Sequence, residues 1–407
     1  MKISSKLFGN NFDEYFISLD IGSEIVKALV VQLDNKNEKA FVLGVGKSSR
    51  KDKSDLIVNE ENFENIVSVC ASAIDDAVAI SKIKPRKIII GLNGNIVRGV
   101  STNINYKRKT NKDKIGEREV KNIISEIRGG LCESVKKIVE NNEVSDSNIF
   151  ITHSTIININ IDGYKVINPV GFKGSSIEFT IFNSFMLRSH YRLIKNISEK
   201  LNVKLLEIVS QPYAVSVAKG IKDIAKSNII LVDVGEKMTS VAMIHEGLIK
   251  GVKTFDIGGK AFNKCLLRDP VSKTMETENF NKKYSNDKIK EVSSCRYEVL
   301  LDGIELSLED FTHINLFSFK ILFYGEGIRN FENDKDLISK LLGNRDAPFS
   351  EMKIDFIDSR AILKIKDKTN KLKDLQCINS LSLASYILDK QIEKDQFNEI
   401  LNSAIIK

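Results

Sequence analysis

Phe16-Ile-Ser-Leu-Asp-Ile-Gly-Ser-Glu-Ile-Val-Lys-Ala-Leu-Val-Val31 reads as two short apolar strands joined by a polar turn. The runs Phe16 to Leu19 and Ala28 to Val31 have the aromatic and β-branched character of buried strands, and the region between them holds Asp20, Gly22, Ser23 and Lys27. Small residues in such a turn let backbone N–H groups approach an anion, so the hairpin is a candidate phosphate and metal turn. A single copy would fit an ordinary tight hairpin better than a nucleotide site.

A second copy follows about two hundred residues later, and self-similarity at that distance signals a duplicated fold. Ile229-Ile-Leu-Val-Asp-Val-Gly-Glu-Lys-Met-Thr-Ser-Val-Ala-Met-Ile244 repeats strand, Asp-x-Gly turn and strand, with Asp233, Gly235 and Thr239 mirroring the first set. Two glycine turns fit the same picture. Gly258-Gly259 stands directly before an expected helix, whose free N–H groups could face a phosphate. Ile321-Leu-Phe-Tyr-Gly-Glu-Gly327 reads as a strand ending in a Gly-x-Gly turn, a backbone platform for a flat ring. The expected fold is α/β, with two similar halves that grip a phosphate chain between them.

Composition narrows the class. A chain of 407 residues with 42% apolar and 28% charged side chains and five prolines is ordinary globular protein of several subdomains. Its apolar runs are strand-sized, and no signal-peptide core is visible. Five scattered cysteines without Cys-x-x-Cys pairing argue against a zinc site or disulfide framework and fit a reducing cytoplasm. The four histidines lack ligand spacing and read as surface or core residues. A net charge of +7 is spread among 54 acidic residues, so nucleic acid is not an expected partner. The densest basic run, Tyr106 to Lys114, reads as a solvated loop; its alternative is a site for an acidic partner or anionic lipid.

Periodicity predicts a helix over Glu60 to Ser81, then a boundary at Lys84-Pro85 before a new strand system. A second helix is expected over Glu117 to Val139, bent or interrupted at Gly129-Gly130. Strand, helix, strand, helix follow over Ile177–Asn183, Ser184–Leu201, Lys204–Val209 and Gln211–Gly220. Phe356 to Ile365 reads as a strand, Ser380 to Leu388 as a helix, and Phe397 to Ile405 as an amphipathic terminal helix whose acidic face suits docking on protein. The expected divisions are a first-half core (1–83), an inserted α+β subdomain (84–168), the first half continued (169–210), the second-half core (211–266), a smaller subdomain (267–318), and the second half continued with terminal helices (319–407).

These turns resemble those of the actin-like ATPase superfamily, and within it the FtsA family of bacterial cell-division proteins. Ser18-Leu-Asp-Ile-Gly-Ser-Glu-Ile-Val-Lys-Ala-Leu-Val30 is similar to that family's first phosphate turn, Gly163-Tyr-Lys-Val-Ile-Asn-Pro-Val-Gly-Phe-Lys-Gly174 to the Asn-Pro segment after its inserted subdomain, and Gln211-Pro-Tyr-Ala-Val-Ser216 to the helix start before its second phosphate turn. The resemblance implies a duplicated actin-like (ribonuclease H-like) fold around a nucleotide cleft that takes ATP and Mg²⁺. By it, Asp20, Gly22, Ser23 and Lys27 meet the phosphates from one side and Asp233, Gly235 and Thr239 from the other. Gly258 and Gly259 form a connecting turn, Gly325, Glu326 and Gly327 lie under the adenosine, Glu278 reaches the ribose or base, and Asp20 and Asp233 orient the metal.

It further implies a cytoplasmic adaptor at the inner face of the membrane that self-associates into filaments and binds an FtsZ-like division protein, with at most slow ATP hydrolysis. No residue declares itself as a catalytic base. Four departures stand out: Glu236-Lys237 follow the second Asp-x-Gly, Asn281 stands where a lysine is usual, the adenosine turn is Gly-Glu-Gly, and no glycine-rich linker with a basic amphipathic anchor is visible. A PilM-like assembly platform of a type IV pilus and an actin-fold small-molecule kinase are the alternatives.

Overall fold

The computed structural model describes residues 15–50, 59–140, 148–218, 227–260, 286–311, 316, 319–328, 331, 333–357, 359–372, 377–392 and 396–402. The chain opens with β1 (Tyr15–Ile21), β2 (Ile25–Asp34) and β3 (Lys39–Ser49), followed by α1 (Phe63–Ser81). That helix begins at Phe63 rather than Glu60, because Asn59 and Asn62 exchange side-chain to backbone hydrogen bonds of 2.8 Å that hold a turn ahead of it. Next come β4 (Lys87–Leu92), β5 (Arg98–Lys107) and α2 (Glu117–Glu140). α2 runs unbroken through Gly129-Gly130: both glycines face solvent, while Val120, Ile123, Ile124, Ile127 and Leu131 bury the opposite stripe.

β6 (Ile149–Ile161), β7 (Tyr164–Val166) and β8 (Ser176–Leu187) lead to α3 (Arg188–Lys200). β8 extends past the expected helix start at Ser184 because Ser184 to Leu187 are paired with Ile149 to His153 of β6. β9 (Lys204–Ser210), α4 (Gln211–Val217), β10 (Ile229–Val234), β11 (Thr239–His245) and β12 (Leu248–Phe255) follow, then α5 (Asn286–Leu308), β13 (Lys320–Tyr324), α6 (Lys335–Gly343) and β14 (Lys353–Phe356). The run Phe356 to Ile365 is not one strand. It breaks at a 3-10 turn, Ser359–Ala361, before β15 (Ile365–Asp367). The chain closes with α7 (Ile378–Ile392) and α8 (Gln396–Asn402).

Strand pairing shows the duplication directly. In the first half β1 pairs antiparallel with β2 and parallel with β4, β2 pairs with β3, and β4 pairs parallel with β9. In the second half β10, β11, β12, β13 and β14 repeat those four relationships in the same order. β1, β2 and β10 are buried on both faces, which explains why their sequences are near-continuous apolar runs. β4 thus belongs to the first-half sheet, although a new strand system was expected from residue 84. β15 likewise returns to the first half by pairing with β3.

The layers follow from which faces are apolar. α1 and α3 cover one face of the first sheet; α4 and α7 fill the space between the sheets, where Phe16, Leu29, Leu231, Ala242, Leu383 and Leu388 share one core; and α5 and α6 cover the far face of the second sheet. The inserted strands β5, β8, β6 and β7 continue the second sheet through the pairing of Gly251 with Val100 and Val252 with Gly99. α2 and α8 pack on this insert through Val120, Ile124, Phe397 and Leu401. The terminal helix therefore docks on protein, as its acidic face suggested.

α8 also completes a strand edge. The side chain of Asn402 accepts from the Ser154 N–H at 2.9 Å and donates to the Ser154 carbonyl at 2.7 Å, and Asn398 accepts from the Ile156 N–H at 2.8 Å. A primary amide side chain thus does for β6 what a neighbouring strand would do. Where insert, first sheet and α7 meet, Glu207 is the hub of a buried polar network. It accepts from Tyr386 at 2.8 Å and Lys390 at 2.6 Å and lies 2.8 Å from Nδ1 of His153, a core histidine. Burial works against its charge, but Lys390 and His153 outweigh it and hold the carboxyl down at about 2.

Candidate functional site

The hairpins β1–β2 and β10–β11 point their turns at one another from the two halves. In the first, Asp20 stands one residue before the end of β1, directly across from Lys27 of β2, and the Gly22 N–H closes the turn on the Ile25 carbonyl at 3.1 Å. In the second, the Gly235 N–H closes on the Met238 carbonyl at 2.9 Å, with Asp233 opposite Ser240. The same local geometry therefore arises twice from the same Asp-x-Gly pattern.

Lys27 is the centre of charge. Its ammonium, 4% exposed, lies 3.8 Å from Asp20 and forms a close ion pair with Glu326, 13% exposed, which belongs to the second half. Burial alone would lower the Lys27 pKa, but the Asp20 and Glu326 carboxylates overcome it and hold the group charged. Asp20 also accepts a hydrogen bond from the Gln211 side chain at the start of α4. Asp233 accepts one from Asn379 of α7 at 3.0 Å.

The two aspartates behave unlike surface carboxylates. Burial pushes Asp20 up to about 6, a rise that Lys27 moderates and Glu326 reinforces. Burial pushes Asp233 to about 7, where the Asn379 hydrogen bond opposes the rise and the negative charge of Asp20 adds to it. Three carboxylates around one ammonium leave a buried excess of negative charge.

Behind Asp233, the second-half turns pack on one another. Gly325 sits at φ +112°, a conformation that L side chains rarely adopt, and a Cβ there would lie 2.5 Å from the Val234 carbonyl. A Cβ on Gly327 would lie 2.6 Å from the Gly235 carbonyl, so the Gly325-Glu326-Gly327 turn is glycine on both sides of Glu326 for steric reasons. Gly258 and Gly259 are buried beneath the same turn, with the Gly259 N–H on the Gly235 carbonyl at 2.8 Å and the Lys260 N–H on the Glu236 carbonyl at 2.7 Å. Thr239 commits its hydroxyl proton to the Ile257 carbonyl at 2.6 Å, which pins this connection instead of presenting a donor to an anion. Lys260 then reaches across to ion-pair with Glu24 of the first turn.

Of the sequence-predicted residues, Asp20, Lys27, Asp233 and Glu326 converge, and Gly22, Gly235, Gly258, Gly259, Gly325 and Gly327 shape the turns around them. Ser23 is half-buried in the first turn. Glu278 lies outside the described residues. Gln211, Asn379, Tyr324 and the Glu24–Lys260 pair were not predicted. Gln211 opens a motif that was read as a helix start, and Asn379 carried no signal at all.

The donor set fits a magnesium nucleotide. Among the described residues no group of three or more His, Cys, Asp or Glu side chains is arranged to hold a metal unaided. Mg²⁺ is commonly held by one or two carboxylates together with phosphate oxygens and water, a role Asp20 and Asp233 suit. The Asn379 amide oxygen is buried without a hydrogen-bond partner, which fits a group that completes its bonding with a ligand or its waters, while the Tyr324 hydroxyl is engaged by the Asp233 carboxylate.

No protein-family model matches the chain. The cell-division protein FtsA of Bacillus subtilis is 22% identical over 306 residues, covering 72% of this chain and 63% of that protein. FtsA of Neisseria meningitidis serogroup B is 22% identical over 261 residues, 63% of this chain and 59% of that protein. The matches thus span less than two thirds of either relative's length. Among solved structures, the PilM–PilN type IV pilus biogenesis complex aligns over 93% of this chain and 98% of the matched one, with a TM-score of 0.60 at 11% identity. With the duplicated strand topology, these likenesses establish an actin-like ATPase fold and a distant relationship to FtsA.

Proposed function

We propose that the chain is an FtsA-like, actin-fold adaptor that binds Mg-ATP between its halves and uses nucleotide state to control self-association and partner docking in bacterial cell division. The observation that carries this reading is the convergence of Asp20 and Lys27 from one hairpin with Asp233 and Glu326 from the other half, at matching ends of a duplicated topology. ATP supplies the phosphate charge and the phosphoanhydride bond. The protein's residues do the rest.

Asp20 and Asp233, once ionised, would hold Mg²⁺ and its waters, while Gln211 and Asn379 orient the two carboxylates. Lys27 neutralises phosphate after exchanging its Glu326 partner for a phosphate oxygen. Hydrolysis, where it occurs, is slow and subordinate to assembly. The FtsZ-like partner, the filament and the position at the inner face of the membrane come from the FtsA likeness.

The test is a calorimetric titration with Mg-ATP coupled to sedimentation with and without nucleotide. Micromolar binding by the wild type that disappears in Asp233→Ala supports the reading. Absence of binding by the folded wild type sinks it. A PilM-like platform for a type IV pilus is the second reading, favoured by the alignment over almost the whole chain. Pulldown of an FtsZ-tail peptide against a pilus-protein peptide separates the two.

A further inference from the structure

The inserted subdomain ends in a tip with an unusual surface. Seven large apolar side chains are exposed among the described residues, and three of them fall between residues 164 and 172: Tyr164 at 79%, Ile167 at 100% and Phe172 at 51%. Tyr164 lies on β7, the outermost strand of its sheet, and the other two lie in the loop that follows. They cluster at one edge, unlike singly scattered apolar residues, which need no explanation.

The basic run 107–114 is stitched to this loop. The Arg108 N–H donates to the Ser175 carbonyl at 2.8 Å, and its guanidinium donates to the Gly174 carbonyl at 2.8 Å. The Ile115 N–H donates to the Phe172 carbonyl at 2.7 Å, and the Gly171 N–H to the Ile115 carbonyl at 2.8 Å. Segments 107–114 and 162–175 together carry seven cations against two carboxylates. Lys107, Lys109, Lys112, Lys114, Lys165 and Lys173 are all exposed around the apolar side chains.

Nearby acids do little to offset them. Asp162 accepts the Ser175 and Ser176 N–H groups, which hold its carboxyl below the ordinary range. Glu119 pairs with Arg108 at 2.7 Å and Glu117 with Lys121 at 2.5 Å. Asp113 is the other carboxylate within the two segments.

We propose that this tip is a peripheral docking surface for an anionic lipid bilayer, with Tyr164, Ile167 and Phe172 entering the headgroup region while the lysines meet the lipid phosphates. Protruding apolar side chains ringed by cations match a soft interface whose surface is negative and whose interior is apolar. The proposal rests on the membrane position in the proposed function only for its biological setting, and it does not depend on nucleotide.

The test is co-sedimentation of the full chain with phosphatidylcholine vesicles, plain or with about 30% phosphatidylglycerol. Anionic vesicles are expected to bind at least about tenfold more strongly, with binding falling as salt rises. K109Q/K112Q/K114Q should weaken it by roughly fivefold for each lysine that reaches the surface. I167S/F172S should weaken it several-fold while leaving the melting temperature unchanged, since both side chains are exposed. No binding to anionic vesicles overturns the proposal. So does equal binding by both variants and the wild type, which places the contact elsewhere, or binding to soluble poly-glutamate without binding to vesicles, which indicates an acidic protein partner. A failed nucleotide titration leaves these outcomes untouched.

Discussion

Replacing Glu326 with glutamine should make the protein bind nucleotide more tightly. In the structure the Glu326 carboxylate occupies the Lys27 ammonium from the opposite half, so an incoming phosphate must displace it. Two unit charges about 4 Å apart interact by about 4 kcal/mol at an effective dielectric of about 20. Not all of that opposes binding, because Lys27 keeps Asp20 at 3.8 Å and re-pairs with phosphate. The net value of a charge-assisted hydrogen bond, about 1.5–3 kcal/mol, is the better measure of what the substitution returns. That corresponds to roughly ten- to hundredfold tighter binding of Mg-ATP.

Glutamine keeps an acceptor for Lys27 and nearly the same volume, so the fold should survive, and a circular dichroism melt checks that it does. Calorimetry at about pH 7.5 reads the affinity, a pH at which both raised aspartates are mostly ionised. A second readout is independent of affinity: Glu326 raises the pKa of both Asp20 and Asp233, so its neutralisation should move the pH midpoint of Mg²⁺-dependent binding downward. A folded Glu326→Gln protein that binds no more tightly than the wild type would refute the displacement argument and leave Glu326 as a structural clasp.

Three further outcomes follow from the same geometry. Asp20 and Asp233 are raised to about 6 and about 7, so the stability they contribute is fully present below their unfolded value near 3.8 and is lost as pH rises through about 6 and 7; ligand-free melting temperature should fall over that window, and the increment added by Mg-ATP should grow over it, in a pH series of melts. Glu207 has the opposite sign: held near 2, it contributes stability present above about 4.5 and lost as pH falls through about 2, and Glu207→Gln should cost about 2–3 kcal/mol in a urea melt at neutral pH. Asn402→Leu removes both hydrogen bonds to Ser154 while keeping a side chain of similar size, and it should cost about 1–3 kcal/mol and raise hydrogen exchange at Ser154.

Most of the fold was legible because its signals are local. Each Asp-x-Gly hairpin carries its own strand character and turn chemistry within sixteen residues, so Asp20 and Asp233 could be read separately and the duplication inferred from their likeness. Membership of a sheet is not local in that sense. Ile88 to Ile90 read as a strand from sequence, yet nothing in those residues says that they pair with β1 and β9 and not with the insert. β15 and α7 return to the first half for a similar reason: an apolar helix face records that it is buried, not by which sheet. The unbroken α2 shows tertiary packing overriding the low helix propensity of paired glycines.

The site divides along the same line. Residues that touch phosphates through a turn are predictable from the turn, whereas those that bridge the halves are set by contacts between segments remote in sequence. Glu326 looked like a misplaced side chain in a platform that should be bare glycine, and in the structure it is the counter-charge of Lys27. Its neighbours Gly325 and Gly327 stay glycine because their Cβ atoms would strike Val234 and Gly235, so those two positions are fixed by packing whether or not an adenine ring lies above them. Glycine there is consequently weak evidence for nucleotide. The stronger evidence is electrostatic: two buried carboxylates pushed above their ordinary range, the buried Lys27 ammonium between the halves, and an amide oxygen with no partner. A site that served only to clasp the halves would gain by replacing this excess of buried carboxylates with apolar side chains of similar size. Their presence beside two Asp-x-Gly turns is what the proposed binding of a cation-bearing anion such as Mg-ATP accounts for and a clasp alone does not.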